Sequence, residues 1–134
     1  MRIPGAPVRP ARIRWAAAVL LSLSVLLAPD DAGGHAFLVK SSPSRRAVVS
    51  RSPARLQLWF NERLEAAFSH LSVLDGDGKR VDQGDVVVGP EDLKTLSVGL
   101  PPLPPRTYTV KYRVLSVDGH VVDSQFSFTV REGP

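Results

Sequence analysis

The sequence predicts a small all-β domain, a sandwich or barrel, preceded by a segment for export. Short runs with alternating apolar residues recur over residues 36–130, and turn residues separate them. No segment of that region has the periodicity of an amphipathic helix over a useful length. The 134-residue chain contains no Cys, which excludes disulfides and thiolate metal sites. About 100 residues after the export segment are enough for one domain with its own core.

Residues 1–34 have the organisation of a secretory signal peptide. Four arginines precede an apolar run over residues 15–28, which only two serines interrupt. This run is shorter than the roughly 20 residues of a membrane-spanning helix and fits the central region of a signal. No second apolar stretch of that kind follows. We therefore expect a mature protein without a membrane span, located in the periplasm or at the cell exterior or surface.

The leader offers several positions for cleavage. A cut before Pro29 is unfavourable, and a cut after Ala32 would place Asp30 where a small residue is preferred. A cut after Gly34 has small residues at both preferred positions and makes His35 the first mature residue. We predict this cut and a mature domain of residues 35–134. Cleavage elsewhere, or an uncut anchor in the membrane, remains an alternative.

The charge of the predicted mature domain is small. Removal of residues 1–34 takes away four Arg and two Asp, which leaves 13 Lys and Arg (17 − 4) against 11 Asp and Glu (13 − 2). The resulting net charge of +2 is dispersed along the chain. This pattern argues against binding of nucleic acid.

We predict seven strands in the mature domain, separated by turns. They cover residues 36–40, 55–60, 70–74, 86–88, 93–100, 107–115 and 121–130. The run Asp75-Gly76-Asp77-Gly78 favours a hairpin turn, because Asp and Gly tolerate positive φ. The proline-rich run over residues 101–105 lacks ladder donors and is predicted to be a connection.

Three residues are candidate metal ligands. His35, as the first mature residue, would offer its α-amine and its ring Nδ1 to one ion. Asp118 and His120 lie one residue apart, and side chains at that spacing point to the same side of an extended backbone. Gly119 between them allows the chain to bend. Nitrogen donors supplemented by an oxygen favour Cu(II) over Mg²⁺ or Ca²⁺. A plain turn, with Asp118 as a turn former, is the alternative.

Three longer segments of residues 35–134 carry a family resemblance. The domain opens with HAFLVKSSPS and continues with LQLWFNERLEAAFSHLSVLDGDGKRV. It closes with YTVKYRVLSVDGHVVDSQFSFTV, in which Asp-Gly-His precedes a strand that ends in Phe-x-Phe-x-Val. In this order after a signal peptide, the segments resemble CopC, the family of small secreted copper-resistance proteins of bacteria.

The resemblance implies a fold and a ligand set. The fold would be an immunoglobulin-like Greek-key β-sandwich or barrel. One Cu(II) per chain would be held by the amine and ring of His35 together with Asp118 and His120. Glu62 would lie beside the site as an outer partner or weak ligand. Some family members also hold Cu(I) on methionines, but the only Met here is Met1 in the leader, so the resemblance is to the Cu(II)-only branch.

The resemblance also implies a function, which is that of a copper-binding protein rather than an enzyme. It would act in copper homeostasis, resistance or delivery, with a separate membrane copper transporter of the CopD type as a partner. Two alternatives remain open. One is a copper monooxygenase with an N-terminal histidine, although Asp118 as a ligand would fill the position that oxygen needs. The other is a metal-free immunoglobulin-like interaction module.

Overall fold

The structure, a computed structural model, describes residues 2–7 and 36–133. The predicted cleavage position, the apolar run of the leader and His35 lie outside the described residues. The chain divides into residues 1–33 and residues 34–134, and the strands of the described residues belong to the second part. Within the described residues, no helix is long and apolar enough to cross a membrane.

Residues 36–133 form two four-stranded sheets around one core. The first sheet has, in spatial order, β1 (Leu38–Ser42), β3 (Arg55–Phe60), β6 (Thr95–Gly99) and β5 (Val87–Val88), all antiparallel. The second has β2 (Val48–Val49), β8 (Val121–Val130), β7 (Arg106–Leu115) and β4 (His70–Leu74). Only β2 pairs in parallel, with β8. The predicted all-β Greek-key sandwich is confirmed.

Alternate residues of the long strands fill the core. On β7 the inward positions include Tyr108 and Tyr112, which are 1% and 4% exposed. The ring of Tyr108 stacks on Phe128 of β8, and Tyr112 meets Phe60 of the other sheet edge-on, each pair at a centroid separation of 5.6 Å. Pairs of this kind contribute about 0.5–1.5 kcal/mol beyond their buried area. The alternation in the sequence therefore identified the buried face.

Three of the predicted strands have the bounds of β3, β4 and β8, and the other four differ. The first was predicted over residues 36–40 but begins at Leu38, because Phe37 bonds to Asn61 instead of entering the regular ladder. The strand predicted over residues 93–100 begins at Thr95, because Asp92 forms a turn with Lys94 and Thr95. The strand predicted over residues 107–115 is β7, which begins one residue earlier. The strand predicted over residues 86–88 is β5, which begins one residue later.

Residues 36–133 contain eight strands, one more than predicted. The additional strand is β2, which has only two residues and pairs in parallel with the end of β8. Two residues are too few to show an alternating pattern. A 3₁₀ helix (Ala66–Phe68) in the connection from β3 to β4 was also not predicted.

One end of the sandwich contains both described candidate ligands. The residues before β1, the connecting segments 61–69, 89–94 and 116–120, and the first residues of β4 and β8 meet there. We call it the site end. The connections 43–47, 50–54, 75–86 and 100–105 lie at the opposite end.

Candidate metal centre

The turn of residues 116–120 joins β7 to β8 and carries both described candidate ligands. The pairing of Leu115 with Val121 closes its base. The Gly119 N–H donates to the Ser116 carbonyl at 2.9 Å, and the Ser116 N–H donates to the His120 carbonyl at 3.0 Å. Gly119 has a φ of 92°, in the left-handed region that favours glycine. The predicted bend is therefore at Gly119.

The side chains of Asp118 and His120 face each other across this bend. Oδ1 of Asp118 lies 3.1 Å from Nδ1 of His120, and it also accepts the backbone N–H of His120 at 3.2 Å. Two donors about 2.0 Å from one ion and 90° apart are about 2.8 Å from each other. The observed separation is close to that of neighbouring ligands in a tetragonal plane. Both side chains are about one-third to two-fifths exposed, so an ion can reach them.

The same pair is also compatible with a second binding arrangement. His120 can donate from Nδ1 to Asp118 and offer Nε2 to the metal, as metal-binding histidines with a carboxylate partner do. Both arrangements keep His120 as a ligand. They differ in whether Asp118 touches the ion or orients the ring.

Ser116 holds the carboxylate of Asp118 in its ionised form. Its side chain is buried in the turn, and its hydroxyl donates to Oδ1 of Asp118. This bond, followed by the backbone N–H of His120, lowers the pKa of Asp118 below its ordinary value. Desolvation opposes the shift, and the His120 side chain adds to it. The turn thus supplies a charged oxygen donor beside an imidazole.

A second segment, the 61–65 connection, links the start of the domain to this turn. The Asn61 side chain accepts the Phe37 N–H through Oδ1 at 2.7 Å, and the Asn61 N–H donates to the Phe37 carbonyl at 3.2 Å. Two residues later, the Arg63 carbonyl accepts the Val117 N–H at 2.9 Å. Glu62 lies between these two anchor points and is partly buried. The predicted position of Glu62 beside the turn is therefore consistent with the backbone pairing.

The structure brings together two of the predicted ligands. Asp118 and His120 are in contact, Glu62 lies in the neighbouring connection, and His35 is outside the described residues. Among residues 2–7 and 36–133, no three His, Cys, Asp or Glu side chains form a group that could hold a metal ion. The assignment of His35, Asp118, His120 and Glu62 therefore stays a prediction.

The third histidine, His70, is not part of this turn. It is the first residue of β4, it is exposed, and it pairs across the sheet with Arg113. The sequence pattern favoured a surface strand residue over a ligand at this position. The exposed place of His70 on the outer face of the second sheet agrees with that interpretation.

Two residues of the site end were not identified from the sequence. Ser116 orients Asp118, and Asn61 fixes the start of the domain. The signal for Ser116 is local, since a hydroxyl two residues before Asp118 is within reach in a tight turn. The contact of Asn61 spans 24 residues and has no local signal.

The chain is similar to proteins of one family. The family model described as the CopC domain matches residues 38–131. Copper transport protein CutJ of Bacillus subtilis is 32% identical over 120 residues, which cover 89% of this chain and 22% of CutJ. Protein YobA of Escherichia coli K12 is 31% identical over 120 residues, which cover 89% of this chain and 94% of YobA. This chain therefore spans under a quarter of CutJ and most of YobA.

Solved structures give the same result. The crystal structure of CopC from Methylosinus trichosporium OB3b has a TM-score of 0.70 and 39% identity, over 75% of this chain and 97% of that one. The structure of PcoC, a methionine-rich copper resistance protein from Escherichia coli, has a TM-score of 0.63 and 30% identity, over 72% and 99%. The present chain differs from a methionine-rich protein, since its only Met is Met1.

Proposed function

Because this chain belongs to the CopC domain family, we propose that its mature form binds one Cu(II) ion outside the cytoplasm. Its role is in copper homeostasis, resistance or delivery, and it is not an enzyme. Relatives that bear the names copper transport protein and copper resistance protein C support this role. The partner is a separate membrane copper transporter of the CopD type, and the location is the periplasm or the cell exterior.

The observation that carries the proposal is the contact between Asp118 and His120. A charged oxygen and an imidazole nitrogen lie 3.1 Å apart in a turn that Ser116 braces. Nitrogen and oxygen donors in this geometry suit Cu(II). Soft ligands for Cu(I) are missing, because the chain has no Cys and its only Met lies in the predicted leader.

His35 completes the proposed ligand set through its amine and its ring. The backbone of Phe37 is bonded to Asn61, and the 61–65 connection is bonded to the turn through Val117. Two residues of chain span at most about 7 Å. A mature chain that begins at His35 therefore starts near the site end. The amine, two imidazoles and one carboxylate give four donors for a tetragonal plane.

Asp118 as a fourth donor also weighs against the enzyme alternative. A copper monooxygenase needs an open position for oxygen, whereas in our proposal the carboxylate beside His120 fills one position of the plane. Glu62, in the neighbouring connection, acts in our proposal as an outer partner that balances charge or orients a ligand.

The decisive experiment is a Cu(II) titration of residues 35–134 with a free His35 amine. The matched control has one additional Gly in front of His35, which displaces the amine chelate and leaves every other residue unchanged. We expect one Cu(II) per chain for the first protein and sharply weaker binding for the second. Equal affinity of the two proteins would refute the role of His35. Tight Cu(I) binding, measured against a Cu(I) chelator, would refute the predicted selectivity for Cu(II).

A further inference from the structure

The first described residues of the domain are held in place before the regular strand begins. The side chain of Ala36 is 1% exposed and belongs to the core, and the backbone of Phe37 is bonded to Asn61. The side chain of Phe37 is exposed, so its backbone bonds and the buried Ala36 hold this segment. The ladder between β1 and β3 begins only at Leu38. The contact with Asn61 therefore takes the place of the ladder at this point.

The side chain of Asn61 makes the part of this contact that depends on residue type. Its Oδ1 accepts the Phe37 N–H at 2.7 Å, whereas the bond from the Asn61 N–H to the Phe37 carbonyl, at 3.2 Å, joins two backbone groups. Together the two bonds fix the peptide groups on both sides of Phe37. The side chain of Asn61 holds the first of these groups, which joins Ala36 to Phe37 and leads towards the predicted first residue of the mature chain.

The connection that begins at Asn61 also pairs with the turn of the candidate ligands. The Arg63 carbonyl accepts the Val117 N–H at 2.9 Å, and Val117 directly precedes Asp118. Asn61 and Arg63 are two residues apart, so at most about 7 Å of chain lies between these two contacts. Asn61 therefore fixes the start of the domain at a short distance from the turn, and the backbone of the connection defines that distance.

The binding of a metal by a chain terminus costs conformational entropy. Each residue that becomes ordered only when the ion binds lowers the affinity, and order that is already present in the folded protein removes this cost. Asn61 orders the Phe37 backbone within the fold. In a mature chain that begins at His35, a single residue precedes the buried Ala36, so little chain is left for the ion to order.

We propose that Asn61 is a positioning residue for the copper site, which holds the peptide group before Phe37 and thereby presets the α-amine of His35 for binding. The inference rests on the proposed function, since it requires the amine chelate of His35. Asn61 acts through Phe37 and is not a ligand, because its oxygen already accepts the Phe37 N–H. Loss of the Asn61 side chain should therefore weaken the amine chelate and leave the set of donor atoms unchanged.

The test combines substitution of Asn61 with the additional Gly in front of His35. Cu(II) affinity is measured for residues 35–134, with and without that Gly, in the native sequence, Asn61→Ala and Asn61→Asp. Asn61→Ala should weaken binding about tenfold in the protein that begins at His35, with the EPR features of the native ligand set. It should have no effect in the Gly-extended protein, because the amine chelate is already displaced there. Asn61→Asp keeps the acceptor for the Phe37 N–H and should bind at least as tightly as the native protein.

Ser52→Ala is the structural control for Asn61→Ala. The Ser52 hydroxyl accepts the Leu103 N–H, also at 2.7 Å, at the opposite end of the sandwich. Both variants lose one hydrogen bond from a side chain to the backbone, so both should lose some stability in denaturant unfolding of the copper-free protein. Only Asn61→Ala should lose Cu(II) affinity. The Phe37 amide of the copper-free protein should also exchange its hydrogen faster in Asn61→Ala than in the native protein.

The outcomes separate this inference from the proposed function. Native Cu(II) affinity in Asn61→Ala would overturn the inference alone, provided that the additional Gly weakens binding. An equal loss from Asn61→Ala in the Gly-extended protein, or weak binding by Asn61→Asp, would also overturn it, because Asn61 would then act on something other than the amine of His35. Binding that is insensitive to the additional Gly would refute the proposed role of His35 and this inference together.

Discussion

At the end of the sandwich opposite Asp118, two carboxylates of the connection from β4 to β5 each accept a hydrogen bond from a strand outside that connection. Asp82, whose side chain is fully buried, accepts the N–H groups of Val73 and Gly84, each at 2.9 Å, and pairs with Arg80 at 2.8 Å. Asp85 accepts the N–H of Gly99 at 2.7 Å. These carboxylates satisfy backbone donors that would otherwise lack partners, so they serve the stability of the sandwich.

The carboxylate at the site end has a different set of partners. The hydrogen bonds of Asp118 come from Ser116 and His120, which belong to its own turn. No hydrogen bond from another strand or connection reaches Asp118 in the described part of the chain. Asp82 and Asp85 thus join their connection to a strand, whereas Asp118 is held only by its own turn.

Substitution of His120 should have the largest effect on copper and almost none on folding. His120→Ala removes a ligand in either binding arrangement, so the loss of Cu(II) affinity should exceed the roughly 100-fold that removal of an outer partner costs. The visible and EPR spectra should change as well. The free energy of unfolding should change by less than about 0.5 kcal/mol, because the side chain is partly exposed at a turn.

His70→Ala is the matched control for that experiment, since this exposed histidine lies on β4 outside the turn. Its Cu(II) affinity and spectra should match those of the native protein. Asp118→Ala should alter the spectra if the carboxylate touches the ion, and should alter mainly the affinity if it orients the ring. Native spectra and affinity in His120→Ala would refute the site and favour the interaction-module alternative.

Asp82→Ala should lower the stability of the fold and leave copper binding unchanged, which is the reverse of the effect expected for His120→Ala. It leaves the N–H groups of Val73 and Gly84 and the charge of Arg80 without their acceptor, which should cost about 2–3 kcal/mol of unfolding free energy. Cu(II) affinity should be unchanged. Asp77→Ala, at an exposed carboxylate of the same end, should cost under about 0.5 kcal/mol. Denaturant unfolding measures both, and equal losses would contradict the assignment.

The acid dependence of stability sharpens the same contrast. Burial raises the pKa of Asp82, but hydrogen bonds from Arg80, Val73 and Gly84 outweigh it, so the pKa lies below the ordinary 3.8. Folding thus favours the ionised form of Asp82. The contribution of this carboxylate to the free energy of unfolding is fully present above the ordinary pKa, and it is lost as the pH falls through the lower pKa of the folded state. The difference in unfolding free energy between native protein and Asp82→Asn should therefore be constant above about pH 5 and shrink below about pH 4. A constant difference throughout would be inconsistent with this role.

Most of the fold could be predicted from the sequence, because buried and exposed side chains alternate along each strand. The alternation over β7 and β8 marks Tyr108 and Phe128 as inward residues, and both are buried. Exceptions occur where a side chain competes with the ladder, as Asn61 does at Phe37 and Asp92 does before β6. Such contacts depend on which segments meet in the folded chain, and no local sequence pattern predicts them.

Part of the candidate site could also be predicted from the sequence, because some of its residues lie in one local turn. Asp118, Gly119 and His120 are neighbours in sequence, and the turn that brings them together is local. The 61–65 connection reaches the turn only through tertiary pairing, so the position of Glu62 beside it could come only from the family resemblance. His35 stays a prediction, because it lies outside the described residues.

Glu62→Gln should have an intermediate effect on copper. The substitution keeps the shape of the side chain and removes its charge. Loss of an outer partner typically costs about 10–100-fold in affinity, and the spectra should keep the features of the native ligand set. Glu65→Gln is the matched control, since Glu65 is an exposed carboxylate of the same connection. A changed spectrum in Glu62→Gln would make Glu62 a direct ligand, and equal affinities in the two variants would remove it from the site.

The smallest effect on Cu(II) affinity is expected at Ser116. The substitution tests whether hydrogen bonds within the turn position Asp118 as a ligand. Ser116→Ala removes the hydroxyl that donates to Asp118, so Cu(II) affinity should fall about tenfold with the spectra unchanged. Ser69→Ala is the matched control, because its buried hydroxyl accepts the Leu115 N–H at the same end without touching Asp118. Both variants should lose about 1 kcal/mol of unfolding free energy. If the two variants bound Cu(II) equally well, Ser116 would stabilise the turn without positioning Asp118 as a ligand.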